Sequence, residues 1–189
     1  MSKFKLIAEL ALDLPERDVG GITVSELSNH ALVSLAIPND ARENVSKAIA
    51  NNYETDIPAV GQSTSSDVDN MRFLGLQSDQ FFALFEYSGD RAVEHLKSKI
   101  KHVAYLCDQS DSWVILKISG ERCREALARI CPIDLLPDSF PEGKVARTGM
   151  EHLAVIILRE SENQYLLLSP RSSAQSFLHA VTSSIDNIS

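Results

Sequence analysis

The amino-acid sequence predicts an α+β protein made of four units, each a β-hairpin followed by a helix. One observation is that four strand-like runs follow short polar turns, at residues 27–30, 77–80, 109–112 and 161–164. These turns read "LSNH", "QSDQ", "QSDS" and "SENQ". Each holds Ser with Asp or Asn, which favour turns because their side chains bond their own backbone. The other observation is that a segment of helical periodicity follows each pair of strands, so we predict mainly antiparallel sheets with helices packed on one face.

The strands are predicted from the residue types on both sides of the turns. The runs after the four turns are "ALVSLAI", "FFALFE", "WVILKI" and "YLLL". They are rich in the aliphatic and aromatic residues that favour β-strands. We therefore predict that each run pairs with the apolar run before its turn.

The helices are predicted from apolar residues that recur with the spacing of one helix face. The four sets are Ala41, Val45, Ala48 and Ile49; Val93, Leu96 and Ile100; Cys123, Ala126, Leu127 and Ile130; and Ala174, Phe177, Leu178 and Val181. The last two sets share the spacing i, i+3, i+4, i+7. This match indicates that the third and fourth units have the same construction.

The four units group into two halves of similar length, approximately residues 1–101 and 102–189. The two most loop-like segments, residues 51–70 and 131–153, are polar and contain proline. Each lies between the first helix of its half and the next hairpin. We predict one compact unit, residues 1–189, in which the two halves interlock.

Composition and charge narrow the class of function. The chain has 189 residues, 44% of them hydrophobic and 23% charged, which is typical of a globular protein. Its formal net charge is -8 and its 18 Lys and Arg residues are scattered. Proteins that bind nucleic acid usually carry a basic stripe, so we expect no nucleic-acid partner.

Neither a membrane span nor a secretion signal is predicted. The longest apolar run, residues 153–158, is far shorter than the roughly 18 residues that a membrane span needs. Near the N-terminus, Lys3 and Lys5 precede an apolar patch that Glu9 and Asp13 interrupt. No small-residue cleavage site follows, so we expect a cytoplasmic protein without a membrane partner.

The sequence contains no motif that by itself predicts chemistry. It lacks the glycine-rich phosphate loops and the Gly-x-Ser-x-Gly nucleophile elbow. Its three cysteines have no C-x-x-C spacing, and its five histidines have no zinc-binding spacing. We therefore predict no catalytic, cofactor-binding or metal-ligating residue in this chain.

Residues 131–153 are the most irregular segment. We interpret Cys131 as a small buried residue that closes the preceding helix, and Asp134 and Asp138 as turn formers. The prolines at positions 132, 137 and 141 stiffen the backbone because proline fixes φ. The segment is predicted to be a stiff connector and strand entry that holds one shape against a partner.

Three arginines around the fourth hairpin, Arg147, Arg159 and Arg171, allow two readings. Arginine is favoured where carboxylates are held by a fork of donors, so the three could form an anion-binding or interface patch. They could equally belong to a solvated face. The sequence leaves both alternatives open.

Several short motifs in roughly the last 75 residues occur together in one known family. They are Ser119-Gly120, the run Cys131-Pro132-Ile133-Asp134-Leu135, Phe140-Pro141, Ala146-Arg147-Thr148 and Pro170-Arg171-Ser172. In this combination the segment resembles the gamma subunit of heterotetrameric sarcosine oxidase. Residues 1–110 add little to the resemblance beyond the repeat of strands and helices.

The resemblance implies a non-catalytic subunit with a role in assembly and stabilisation. The complex would oxidise sarcosine, with oxygen and tetrahydrofolate, to glycine, hydrogen peroxide and methylenetetrahydrofolate. Its partners would be the alpha, beta and delta subunits. FAD, FMN, NAD and tetrahydrofolate would lie in the larger subunits and zinc in the delta subunit, with no cofactor on this chain. Self-association of the isolated chain stays open.

The same family is similar in fold to the folate-binding aminomethyltransferases, which supplies an alternative function. Those enzymes carry Gly-x-x-Asp-Asp-Leu at the start of a strand, and the nearest match here, residues 149–153, is one residue shorter and has no aspartate. Ser169-Pro170 replaces their Asn-Ala. On a strand, Glu151 and His152 would point to opposite faces. The alternative is thus a folate-binding, aminomethyltransferase-like protein acting alone.

Overall fold

A computed structural model describes residues 9–188, so Lys3 and Lys5 lie outside the described residues. The elements are β1 (Arg17–Val19), β2 (Ile22–Glu26), β3 (His30–Ala36), α1 (Arg42–Tyr53), β4 (Ser63–Ser66), β5 (Met71–Gly75), β6 (Gln80–Glu86), α2 (Ala92–Ile100), β7 (Tyr105–Asp108), β8 (Trp113–Ser119), α3 (Cys123–Ile130), β9 (Val145–Met150), β10 (Leu153–Ser161), β11 (Gln164–Pro170) and α4 (Ala174–Asp186). Within this range, no helix is both long and apolar enough to cross a membrane.

The strands form two sheets. The larger has six strands in the order β1-β2-β8-β11-β10-β9, and the smaller has five in the order β4-β5-β6-β3-β7. All strand pairs are antiparallel. The predicted α+β class with mainly antiparallel sheets is confirmed.

Two of the four predicted hairpins are wrong. The turns at 77–80 and 161–164 do join paired strands, β5 with β6 and β10 with β11. The turns at 27–30 and 109–112 instead connect strands of different sheets, because β2 pairs with β8 and β7 pairs with β3. Turn residues encode a reversal of the chain, but they do not encode which strand the reversed chain pairs with.

The two halves have the same topology and exchange one strand. The smaller sheet and the last five strands of the larger correspond as β4 to β9, β5 to β10, β6 to β11, β3 to β8, and β7 to β2. Strand β2 from the first half thus lies in the second sheet, and β7 from the second half lies in the first. The limits predicted for the halves, near residues 101 and 102, stay a prediction.

The sheets meet at their edges on the pseudo-two-fold axis that relates the halves. Gln62 and Lys144, at the starts of β4 and β9, form an antiparallel bridge. The Ser63 N–H donates to the Gly143 carbonyl at 2.7 Å, and the Val145 N–H donates to the Gly61 carbonyl at 3.0 Å. Gly61 and Gly143 have φ of +78° and +76°, a region where glycine avoids the strain of a side chain.

Three apolar clusters form the core, and they define four layers. One cluster lies between the larger sheet and α3 and α4, and a second lies between the smaller sheet and α1 and α2. The third joins the inner faces of the two sheets. Each sheet therefore has helices on one face and the other sheet on the opposite face, as predicted for the helices.

Gly75, at the end of β5, is expected to be intolerant of a side chain. A Cβ there would lie 2.2 Å from the Ala59 carbonyl oxygen, which is backbone and cannot rotate away. We expect Gly75→Ala to lower the free energy of unfolding by about 2 kcal/mol, measured by urea titration. The matched control is Gly149→Ala, whose Cβ would meet its nearest atom at 3.9 Å. Equal stability of the two variants would refute this packing argument.

Candidate interaction site

The structure divides the segment predicted at residues 131–153, because its second part forms β9 and the turn into β10. Residues 131–144, called the connector below, run from the end of α3 to the start of β9. Three apolar side chains hold the connector against the α3/α4 cluster. Cys131, Leu135 and Phe140 keep 6%, 2% and 2% of their surface exposed. The connector is therefore packed onto the fold at three points along its length.

The role predicted for Cys131 is confirmed. Its N–H donates to the Leu127 carbonyl at 2.9 Å, which closes α3, and burial raises the pKa of its thiol. Burial likewise raises the pKa of Cys123, on the apolar face of the same helix. A nucleophilic cysteine needs a lowered pKa, so both thiols have the properties of core residues.

Asp134 shapes the turn in the middle of the connector, as predicted. Its carboxylate accepts the Leu136 N–H at 3.0 Å and the Ser139 hydroxyl at 2.6 Å. The Phe140 N–H donates to the Leu136 carbonyl at 2.8 Å, which closes the turn. These bonds, with Pro137 inside the turn, give the segment one defined shape. Asp138 is exposed beside it.

The tip of the connector presents an apolar surface to solvent. Leu136 is 53% exposed, and Pro137 beside it is also exposed. Apolar side chains on a loop of fixed conformation are suited to binding a partner. Such a loop is already ordered, so it loses little conformational entropy when a partner covers it. The connector is the candidate interaction site of this chain.

Arg159 fixes the far end of the connector from inside the protein. It lies in β10 and is only 3% exposed. Its guanidinium donates to the carbonyl oxygens of Phe140 at 2.8 Å, Glu162 at 3.0 Å and Ser161 at 3.2 Å. It also lies 5.9 Å from the centre of the Tyr165 ring, within cation–π range. One side chain thus ties the connector to the β10–β11 hairpin.

Of the two alternatives for the three arginines, a shared patch does not form, and a common solvated face does not form either. Arg159 is buried on the face of the larger sheet that α3 and α4 cover, and its donors are used within the protein. Arg147, on β9, is exposed and belongs to the opposite face by strand alternation. Arg171 donates to the Glu9 carbonyl. The sequence could not separate them, because only the sheet register shows which face each arginine occupies.

Glu151 and His152 do not lie on a strand, so that prediction is wrong. Met150 pairs with Leu153, and the two residues between them form the tight turn that joins β9 to β10. Their φ angles are +46° and +68°, as in the hairpin turns usually built from Asn-Gly. Both side chains are exposed. Charged residues at such a turn are uncommon, which is why the sequence pattern suggested a strand.

Glu151 instead lines a shallow groove with residues of α3 and α4. The groove has a volume of about 450 Å³, and Arg129 and His179 also line it. All three side chains are exposed. The groove therefore combines one carboxylate with two basic groups that are all open to water.

A histidine–carboxylate pair that the sequence analysis missed joins α2 to the loop before β5. His95 Nε2 lies 2.8 Å from Asp69 Oδ2, and its ring stacks on Phe85 at 5.6 Å. Beside Asp69, the pKa of the Tyr53 hydroxyl is raised, mainly by burial and further by the Asp69 charge. Sequence distance hid this pair, because the residues are 26 positions apart.

In residues 9–188, no group of three or more His, Cys, Asp or Glu side chains is placed to hold a metal ion. The three described cysteines form no disulfide. The prediction that this chain carries no catalytic, cofactor-binding or metal-ligating residue stays a prediction.

The order of the connector is expected to depend on pH through Asp134. The Ser139 hydroxyl and then the Leu136 N–H lower its pKa from the ordinary 3.8. A lowered pKa means that these bonds stabilise the turn above about pH 4 and are lost as the pH falls through the folded-state value. The amide NMR shifts of residues 136 and 138–140 should therefore change as the pH falls, and we expect Asp134→Asn to remove that change. An unchanged acid titration of these amides would contradict the assignment.

Comparison with known proteins identifies relatives of this chain and of its fold. No family model matches the chain. Over 126 residues it is 26% identical to the sarcosine oxidase subunit gamma of Corynebacterium sp. (strain P-1), a match that covers 67% of this chain and 62% of that relative. The chain thus spans less than two thirds of the relative that it matches. The predicted resemblance to the gamma subunit of sarcosine oxidase is confirmed.

Two solved structures show the same fold. A chain of the heterotetrameric sarcosine oxidase from Corynebacterium sp. U-96, in complex with pyrrole 2-carboxylate, matches with a TM-score of 0.75 and 21% identity over 88% of this chain and 84% of that chain. The glycine cleavage system aminomethyltransferase T from Bartonella henselae matches with a TM-score of 0.62 and 14% identity over 84% of this chain and 44% of that chain. The predicted likeness to the aminomethyltransferase fold is confirmed.

Proposed function

We propose that this chain is a gamma-type subunit of a heterotetrameric sarcosine oxidase, with a role in assembly and stabilisation of the complex. The observation that carries the proposal is the 26% identity over 126 residues to a sarcosine oxidase subunit gamma. The TM-score of 0.75 to a chain of a heterotetrameric sarcosine oxidase supports the same fold over nearly the whole chain.

The complex would oxidise sarcosine with oxygen and tetrahydrofolate, giving glycine, hydrogen peroxide and methylenetetrahydrofolate. The N-methyl carbon passes to the folate and the two electrons pass to oxygen, so the reaction balances. We propose that FAD, FMN, NAD and tetrahydrofolate bind to the larger partner subunits, and that the partners are alpha, beta and delta subunits in the cytoplasm.

The connector supports an assembly role through its construction. Its ends are fixed by buried apolar side chains and by Arg159, while Leu136 stays 53% exposed between them. Binding to such a preorganised loop costs little ordering entropy. In this proposal the connector tip packs into an apolar depression on a partner subunit, where Leu136 and Pro137 become buried.

The exposed turn at residues 151–152 supports a subunit without chemistry of its own. Catalytic groups usually lie in a site that excludes water, because this strengthens their electrostatic interactions. Glu151 and His152 are both exposed at the end of a hairpin. Their surroundings therefore do little to fit them for proton transfer.

Reconstitution tests the proposal. The alpha, beta and delta subunits of the same organism are expressed with and without this chain, and sarcosine-dependent peroxide formation is measured. We expect full activity only with the chain present, and unchanged kcat when it carries Glu151→Gln and His152→Gln together. Equal activity with and without the chain would refute the assembly role. Loss of kcat in the double variant, or folate binding by the isolated chain, would favour the aminomethyltransferase-like alternative.

A further inference from the structure

Strand β7 forms one edge of the smaller sheet, and half of its backbone groups point away from that sheet. Tyr105 and Cys107 pair with Ala36 and Ser34 of β3, and the Gln109 N–H donates to the Leu32 carbonyl at 2.8 Å. In an antiparallel pair, successive residues alternate between bonding to one neighbour and to the other. The N–H and C=O groups of Leu106 and Asp108 therefore point outward.

The internal symmetry shows what kind of structure covers this edge in the other half. Strand β2 corresponds to β7, with Val24 and Glu26 in the places of Leu106 and Asp108. Val24 pairs with Arg17 of β1, and the Glu26 N–H donates to the Leu14 carbonyl at 3.0 Å. An antiparallel extended segment thus covers the β2 edge. Among residues 9–188, no strand pairs with the outer edge of β7.

The uncovered edge carries a conspicuous apolar side chain. Tyr105 is 71% exposed, the highest value among the exposed large apolar side chains of the described chain. Cys107 is also exposed and lies on the same face of the strand. On the other face, Leu106 packs partly against the α1/α2 cluster. An added strand would cover the Tyr105 ring and bind the outward backbone groups.

The charged residues at the two ends of β7 favour one kind of partner strand. Lys101 and His102 precede the strand, whereas Asp108 and Asp111 end and follow it, and the side chains of all four are exposed. A second copy of β7 that runs antiparallel brings the acidic end of each strand to the basic end of the other. We propose that this edge pairs with β7 of a second copy of the chain, with Leu106 opposite Leu106 of that copy.

This register makes specific neighbours across the new pair. Leu106 is a hydrogen-bonded position, so Tyr105 faces Cys107 of the second copy at a non-hydrogen-bonded position, where Cα atoms lie about 4.5 Å apart. Aromatic rings and sulfur make favourable contacts at such distances. The two five-stranded sheets become one continuous ten-stranded sheet.

The dimer leaves the connector free. Strand β7 is separated from β4 by three strands of the smaller sheet, and β4 meets the start of β9 at the end of the connector. Four strand spacings of about 4.8 Å put β7 roughly 19 Å from β4, the strand that meets the end of the connector. Pairing through β7 therefore goes beyond the proposed subunit role, and a result that disproves the pairing would leave the subunit role intact.

Disulfide trapping tests the register in the full-length chain. Tyr105→Cys places a thiol opposite the native Cys107 of the second copy, at the type of position where cross-strand disulfides form. We expect mild oxidation to give a covalent dimer on a non-reducing gel. The controls, Tyr105→Cys with Cys107→Ser and a separate Leu136→Cys, should stay largely monomeric. The proposed register would be overturned if Tyr105→Cys gave no covalent dimer, or if both controls cross-linked as much as Tyr105→Cys does.

Two solution measurements test the pairing without a cross-link. Sedimentation should show a monomer–dimer equilibrium that Tyr105→Lys shifts at least tenfold toward monomer, because a charge on an edge strand opposes pairing. Hydrogen exchange at the Leu106 and Asp108 amides should slow as concentration rises. The proposal would be refuted if the wild-type chain were monomeric at all concentrations measured, or if Tyr105→Lys left the dimer intact. If the amides of a monomeric chain become protected only with partner subunits, the edge takes another chain's strand instead.

Discussion

Arg159→Met is expected to lower the free energy of unfolding by about 3 kcal/mol or more. The substitution removes the three guanidinium donors to the carbonyl oxygens of Phe140, Ser161 and Glu162 while keeping most of the aliphatic bulk. Each buried acceptor left without a donor costs roughly 1–3 kcal/mol, although water can reach those near the surface. Urea titration by circular dichroism would measure the loss.

A control on the neighbouring strand isolates the role of burial. Arg147→Met makes the same chemical change on β9, where the side chain is exposed, and we expect less than about 0.5 kcal/mol. Amide exchange should also quicken in residues 135–144 of the Arg159 variant, because the connector loses its fixed end. Similar losses for the two variants would show that Arg159 does not hold the connector.

Leu136→Asp combined with Pro137→Gly is expected to weaken the association with partner subunits by about tenfold or more. The change puts a charge on the apolar tip of the connector and removes the proline that fixes its shape. Burying an unpaired charge in an interface costs more than the roughly 1.4 kcal/mol that corresponds to a tenfold loss of affinity. Affinity purification with a tagged partner would give the retained fraction.

Leu136→Asp alone should barely change the stability, because Leu136 is 53% exposed in the isolated chain. Pro137→Gly is expected to cost roughly 1 kcal/mol, because glycine gives the unfolded chain more conformational freedom than proline. Tyr105→Asp is the matched control, since it puts the same charge on an exposed apolar residue at the far edge of the sheet. It should retain the partners as the wild type does. Replacing Pro132, Pro137 and Arg147 together extends the test to the whole of residues 131–153. If that variant retained the partner subunits fully, an interface role for these residues would be contradicted.

The local structure was predictable from sequence, but the pairing of strands was not. Periodicity identified the four helices and the strands before them, because spacing and residue type are local properties. The exchange of β2 and β7 between the sheets depends on contacts far apart in the chain, such as Val24 with Ile118 and Val33 with Asp108. The same turn residues can join two paired strands of one sheet or connect a strand of one sheet to a strand of the other.

The candidate site was predicted in part, for the same reason. Cys131 and Asp134 form hydrogen bonds with residues at most five positions away, so their roles could be predicted from the sequence. Arg159 reaches Phe140, 19 residues away, and its burial is visible only in the fold. Glu151 and His152 were misjudged because positive φ angles are uncommon outside glycine, and Glu is not among the residue types enriched there.

Physical association is the most direct test of the central claim that this chain is a subunit of an oxidase complex. The tagged chain is co-expressed with its organism's alpha, beta and delta subunits and affinity-purified, and the product's mass and absorbance spectrum are measured. The account predicts a yellow complex with the mass of one copy of each subunit, or of a pair of such complexes joined through β7. A colourless chain recovered without its partners, although they are present and folded, would contradict it.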